Sequence, residues 1–329
     1  MSNETHVLVT GANSGLGLEA ARQLAARPKG RVWISARSQA KAEAARDTLV
    51  AATGASADRI GFFIFDLLDP SSIRSAIDTY AAGGVKLDGV VLNAGGMVAP
   101  EAGALTLAPD GTTALFAMNV GGHAHLVQGL LDRDLLADGA TVVFAGSEAS
   151  RGIPMMKAEA PALPAGDLDE VLPKVIRGQH LAGKVDPMNE YGIVKLIGTA
   201  WMEDLARRHG GRLRALTVSP GMTAGTAGAD DMPVGMKVFF KYFMMPLMKL
   251  IGKAHGVEAG AARYIRGIED KSLKSGGFYA SAYPTVTGAL ALQSPEQQPL
   301  LENEGFARAA GRLLDGLTGT EKPAVRAVS

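Results

Sequence analysis

Short β-branched runs alternate with alanine-rich helical stretches as far as Ser219, and this alternation narrows the available folds more than any other feature. Strands are predicted at Val7–Thr10, Val32–Ala36, Ile60–Asp66, Val90–Asn93, Thr141–Ser147 and Leu213–Ser219. Between them, helices are predicted at Leu16–Ala26, Gln39–Ala52, Pro70–Ala82, Thr112–Leu136 and near Asn189–Arg208. A βαβα rhythm implies a parallel sheet with right-handed crossovers and helices on both faces. The strands are apolar throughout, as at Val142–Ala145, which suits burial on both sides. The expected fold class is therefore α/β: a Rossmann-like, doubly wound parallel sheet in a single domain over residues 1–329. Two segments break the rhythm. Residues 148–190 are rich in Pro, Ala and Gly, and residues 224–252 begin with small residues and turn rich in Met and Phe. Both are expected to be inserts at the carboxyl edge of the sheet, where open α/β folds bind ligands. Residues 295–329 form a tail, helical near Leu300–Leu317.

Composition removes several function classes. Thirty-three basic residues balance 33 acidic ones, so no nucleic-acid partner is expected. The absence of cysteine excludes disulfides, thiolate catalysis and cysteine-ligated metals. No His, Asp and Glu grouping stands at metal-ligand spacing, and no metal is expected. The amino terminus has no basic n-region ahead of its apolar run, unlike a signal peptide. No uncharged apolar stretch approaches the ~20 residues of a membrane span. A cytoplasmic protein without an integral membrane segment is the expectation.

The turn after the first strand reads Thr10-Gly11-Ala12-Asn13-Ser14-Gly15-Leu16-Gly17 and opens the first helix. Glycines permit a tight turn and a close approach of backbone to pyrophosphate, and a helix N-terminus offers free N–H groups and a positive dipole end. A plain structural turn would carry similar glycines. At the end of the second strand, where an NAD site holds an acid for the ribose 2′-OH, stands Ala36, followed by Arg37. A guanidinium there suits a 2′-phosphate, with Lys41 one helical turn on. Asp66 with Leu67 after the third strand, and Asn93-Ala94-Gly95-Gly96 after the fourth, lie where adenine or ribose is contacted; caps and turns use the same residues.

Tyr191 and Lys195 are four apart in a helical pattern and so share a face. A phenol with pKa near ~10 is a poor acid–base at neutral pH, and an adjacent ammonium favours its phenolate. Ser147, ending the fifth strand, is placed either to bond a substrate oxygen or to cap a helix. Asn119 is a poor mid-helix residue, which points to a role for its amide such as kinking the helix around a water. His123 and His125 read as helix-packing residues.

In this order and spacing, Thr-Gly-x-x-x-Gly-x-Gly at 10–17, Asp66, Asn-Ala-Gly at 93–95, Asn119, Ser147, Tyr-x-x-x-Lys at 191–195 and Pro-Gly at 220–221 resemble the short-chain dehydrogenase/reductase family from about Val7 to Tyr283. The resemblance implies a tetrad. Tyr191 would be the acid–base, Ser147 the orienter of the reacting oxygen, Lys195 the ribose clamp and pKa modifier, and Asn119 the anchor of a proton-relay water. It also counts Pro220 and Gly221 among the cofactor contacts and places Thr223, which follows them, at the nicotinamide carboxamide. The 43 residues between Ser147 and Tyr191 exceed what compact members carry. An insert of that length is similar to those of monomeric carbonyl reductases, retinol-dehydrogenase-like enzymes and light-dependent protochlorophyllide reductases. The last have a functional cysteine in the site that this chain lacks.

The expected activity is NADP(H)-dependent hydride transfer to or from a carbonyl or alcohol on a bulky apolar small molecule. Reduction of an activated C=C bond, or a non-catalytic cofactor-binding sensor, are the alternatives. The Met-rich Val234–Ile251 stretch is expected as a lid over that substrate, with ordinary packing against the sheet or a helix lying on a membrane surface as the alternatives. The family's usual tetramer packs the helices of Tyr191 and Asn119. An insert carrying five prolines from Pro154 to Pro187 and folded over that face would leave a monomer or dimer.

Overall fold

The computed structural model describes residues 4–98, 105–181, 185–224 and 254–319. Its first half follows the expected alternation: β1 (Thr5–Val9), α1 (Gly15–Ala25), β2 (Gly30–Ala36), α2 (Gln39–Thr53), β3 (Ile60–Ile64), α3 (Pro70–Ala81) and β4 (Leu87–Leu92). A composite helix follows, made of α4 (Ala114–Phe116), a π-helical turn (Ala117–Gly121) and α5 (Gly122–Asp132). Then come β5 (Leu136–Ala145), α6 (Leu168–Val175), α7 (Pro187–Arg208), β6 (Leu213–Val218), α8 (Val257–Glu269), β7 (Phe278–Ser281), β8 (Leu290–Leu292) and α9 (Glu304–Thr318).

The strands form one sheet in the order β3-β2-β1-β4-β5-β6-β7-β8, parallel throughout except for β8, which runs antiparallel to β7. The order reverses between β1 and β4, and such a switch point opens a crevice at the carboxyl ends of the strands. Both faces are covered. Leu8, Val90, Val142 and Phe144 pack under the helices that carry Val127, Ile197 and Phe306. On the other face Val7, Val9, Ile34 and Val143 pack under Ala20, Leu49 and Ile265.

Local chemistry explains the helix starts that matter for the site. Asp186 caps α7 by accepting from Met188 N (3.0 Å) and Asn189 N (3.3 Å), with Pro187 at the first helical position. Asp69 caps α3 in the same way, with Pro70 following it. Arg207 and Arg208 occupy the last turn of α7, where cations suit the negative end of the helix dipole.

Three expectations need correction. The helix expected over Thr112–Leu136 is interrupted by a π turn and ends at Asp132, and Leu136 already belongs to β5. The insert at 148–190 carries a short helix, α6, despite its prolines; Pro173 sits inside it, and the Asp167 carboxylate caps it. The sheet also extends beyond six strands, through β7 and β8. The stretch expected as a lid, Val234–Ile251, lies outside the described residues.

Candidate active site

A cleft of about 650 Å³ runs along the carboxyl edge of the sheet, from Ala36 and Arg37 at one end to Ser147, Tyr191 and Thr223 at the other. Of the residues singled out in the sequence, Gly11, Asn13, Ser14, Gly15, Leu16, Arg37, Asp66, Leu67, Asn93, Ala94, Gly95, Ser147, Tyr191, Lys195, Pro220, Gly221 and Thr223 all border it. Gly17 and Asn119 do not. They stand behind its wall and shape it.

The glycine turn is fixed to its neighbours by the backbone. Gly11 N donates to Ser35 Oγ at 3.0 Å, tying the turn to β2. Asn93 Nδ2 donates to Thr10 O and Ala94 N to Thr10 Oγ1, both at 2.9 Å, tying it to the loop after β4. A Cβ at Gly17 would meet Asn93 Nδ2 at 2.5 Å, so only glycine lets α1 begin this close to that loop. Ser14 makes no side-chain cap, and the first turn of α1 holds no acid. Those uncapped N–H groups at a positive dipole end suit a bound anion. At the far end, exposed Arg37 has no ion-pair partner among the described residues.

Asn119 sits in the π turn, fully buried. Its Nδ2 donates to Gly96 O and Leu115 O, both at 2.8 Å, and its Oδ1 accepts from Gly96 N at 3.1 Å. A Cβ at Gly95 would meet that Oδ1 at 2.5 Å, and Gly95 has φ +137°, a conformation other residues rarely adopt. The extra residue of a π turn marks many functional helices. Here it turns the Asn119 amide onto the loop after β4.

His123 was read as a packing residue, and it does more. Nδ1 lies 3.0 Å from Asn119 O, and Nε2 lies 3.0 Å from Thr10 Oγ1. A carbonyl only accepts, so Nδ1 carries the proton and Nε2 accepts from the Thr10 hydroxyl. Burial pushes the imidazole down to about 3, so the ring is neutral and can hold this arrangement. It joins the glycine turn to the π turn.

At the other end of the cleft, Ser147 Oγ accepts from Ala149 N at 3.2 Å and so caps the short 3₁₀ turn Glu148–Arg151. The same hydroxyl stands beside the Tyr191 phenol and favours its ionised form. Of the two roles considered for Ser147, the cap is the one observed here. Burial pushes the phenol up to about 12, against the effect of Ser147, while the residue keeps a partly open edge on the cleft. Lys195 is buried beneath it. Its Nζ donates to Ala145 O at 2.9 Å and lies 4.9 Å from the Phe144 ring centre and 5.5 Å from that of Tyr191. Burial brings this ammonium down to about 7. On the other wall, Thr223 Oγ1 donates to Gly221 O at 3.1 Å. Sequence reasoning missed Glu148, which borders the cleft beside Ser147, and Phe144, which supports Lys195. Neither belongs to a motif, and only the sheet brings them to the site.

Among the described residues, no helix is long and apolar enough to cross a membrane, and no cluster of three His, Asp or Glu is placed to hold a metal. Comparison with known proteins agrees with the geometry. Residues 5–158 match the short chain dehydrogenase family. The chain is 28% identical over 332 residues to the short chain dehydrogenase rstn4 of Aspergillus nomiae NRRL, covering 96% of this chain and 84% of that one. It is 27% identical over 287 residues to protochlorophyllide reductase A of Oryza sativa subsp. japonica, covering 84% of this chain and 71% of the relative. Its fold is similar to that of a short chain dehydrogenase from Shigella flexneri 2a str. 301 complexed with NADP, with a TM-score of 0.51 and 25% identity over 78% of this chain and 98% of the other. With this sheet order and these matches, the chain is similar over most of its length to oxidoreductases of the short-chain dehydrogenase/reductase family.

Proposed function

We propose that the protein is an NADP(H)-dependent reductase of carbonyl groups on bulky apolar molecules, with Tyr191 as its acid–base. The observation that carries this reading is the meeting of the Ser147 hydroxyl, the Tyr191 phenol and the buried Lys195 ammonium at one end of the cleft. Two hydroxyls side by side suit a single substrate oxygen, which favours a carbonyl or alcohol over an isolated C=C bond.

The cleft suits a dinucleotide. The uncapped start of α1 would hold the pyrophosphate, Asp66 and Leu67 the adenine side, and Arg37 a 2′-phosphate. Asn93, Tyr191 and Lys195 would hold the nicotinamide ribose, and Pro220, Gly221 and Thr223 the nicotinamide end. NADPH, when bound, supplies the hydride. The chain itself manages the proton. With a pKa of about 12, the phenol is protonated at neutral pH and ready to donate. Once the proton leaves, the nearby Lys195 ammonium stabilises the phenolate that remains. Ser147 holds the substrate oxygen in reach of that phenol. Beside Tyr191, a small cluster of Ala149, Ile153 and Val286 packs with Met188 and Met222, an apolar surface that supports the substrate class.

The test is NADPH oxidation with a panel of aldehydes, ketones, quinones and activated alkenes. Steady turnover of apolar carbonyls is expected. NADPH binding without turnover of any of them would favour a sensor, and turnover of alkenes alone would move the chemistry to C=C reduction.

A further inference from the structure

Glu148 follows Ser147, and its side chain is almost fully buried although the residue borders the cleft. Oε2 accepts the Ser219 hydroxyl at 2.5 Å, and Oε1 accepts Ser281 N at 3.2 Å and Ser281 Oγ at 3.0 Å. Arg263 Nη1 lies 3.8 Å from Oε1. The same guanidinium donates to Ser219 O (3.2 Å), Ser281 Oγ (3.1 Å) and Gly288 O (2.8 Å). Ser219 Oγ also accepts from Gly221 N at 3.1 Å. One carboxylate therefore joins the carboxyl ends of β5, β6 and β7 and, through Ser219, the Pro220–Gly221 turn.

We propose that Glu148 is a positioning residue that, paired with Arg263, holds Ser147 and the Pro220–Thr223 loop in register across the cleft. The proposal rests on the Tyr191-centred reading above. A buried ion pair is a weak source of stability, since an apolar pair of the same shape often serves as well. What this pair supplies is connection among three strand ends, two of which carry Ser147 and the Pro220–Thr223 loop, and a fixed charge near the phenol. The charged and titratable groups facing the carboxylate are Arg151 on its own turn, Tyr191 on α7, His255 beside the Pro220 loop, and Arg263 and Tyr264 on α8. Glu148 opposes ionisation of Tyr191, so removing its charge favours the phenolate.

Two substitutions separate charge from reach. Glu148→Gln keeps the size and an acceptor oxygen but loses the charge; Glu148→Asp keeps the charge and shortens the arm. Ultraviolet difference spectra of the cofactor-free protein at alkaline pH, with Tyr191→Phe as the subtraction and circular dichroism as the check on folding, read the Tyr191 phenolate directly. A several-fold rise in phenolate is expected for Glu148→Gln and little change for Glu148→Asp. On a carbonyl substrate from the panel, Glu148→Gln is expected to lower kcat about tenfold with KM nearly unchanged, as for a loss of alignment. A folded Glu148→Gln protein with wild-type phenolate and wild-type kcat overturns the proposal, even if it melts earlier. Should that variant not fold, Ser219→Ala removes the hydroxyl that joins Glu148 to Gly221 and leaves the Glu148–Ser281 bonds in place, and a folded Ser219→Ala protein with unchanged kcat overturns it equally. Tyr191→Phe tests the underlying reading on its own. An enzyme that needs Tyr191 but whose Tyr191 ignores Glu148 sinks only this proposal.

Discussion

Lys195 is 3% exposed, and its burial brings the ammonium down to about 7, while the same group in the unfolded chain keeps an ordinary lysine value near ~10.4. Between those values the unfolded state binds more protons, so this group's contribution to stability rises with pH and is lost as pH falls through about 7. Lys195→Met is therefore expected to raise the melting temperature by about 2–4 °C near pH 6, with the gain shrinking toward pH 10, while turnover is abolished. Thermal melts across that range check it, and a gain that grows with pH would contradict the assignment. Arg37 offers a cofactor test at the same scale. Its replacement by Ala is expected to weaken NADPH binding roughly ten- to a hundredfold and to leave NADH binding nearly unchanged, because only the 2′-phosphate contact is lost. Calorimetric titration of both cofactors decides it; equal wild-type affinities for the two would remove the basis of the claim. Tyr191, Lys195, Ser147 and the glycines were legible because each carries its chemistry in a local spacing. Glu148 was not, because its partners Ser219 and Ser281 lie 71 and 133 residues away.

At the scale of elements, the π turn shows where periodicity stops informing. Asn119 was recognisable as an ill-fitting helix residue. A 3.6-residue pattern runs straight through residues 114–132, however, and gives no sign of the added residue or of the pairing with Gly96. His123 likewise looks apolar-facing in the pattern, and its partner Thr10 is 113 residues away. β7 and β8 have four and three residues, too short for alternation to register, and the Ile60–Asp66 strand was expected two residues too long. The joint between π turn and loop can be tested at Gly95. Gly95→Ala combines a disfavoured φ with contact on Asn119 Oδ1, and is expected to cost about 2–4 kcal/mol in urea denaturation and to weaken NADPH binding. A variant as stable as wild type would show that the loop moves freely of Asn119.

For the molecule as a whole, the face expected to be covered by the insert is shared with the tail. Helix α9 packs on α7, α6 and α5, and Gly311 lets it lie against the buried Asp204 of α7. Arg312 of α9 bonds Asp169 of α6 at 2.8 and 2.7 Å. The prolines suggested a chain wrapping over a surface, but could not show that α9 would complete the cover. Since the resemblance ties the family's usual tetramer to the helices of Tyr191 and Asn119, a monomer or dimer is expected. Light scattering checks this, and a tetramer joined through α7 would contradict it. The whole account turns on Tyr191. Its most direct test compares wild-type protein and Tyr191→Phe for NADPH binding by calorimetry and for NADPH oxidation with the best apolar carbonyl of the panel. The expected result is near-equal binding with turnover lost at least about a hundredfold in the Phe variant; a Phe variant that keeps a large share of wild-type turnover would contradict it.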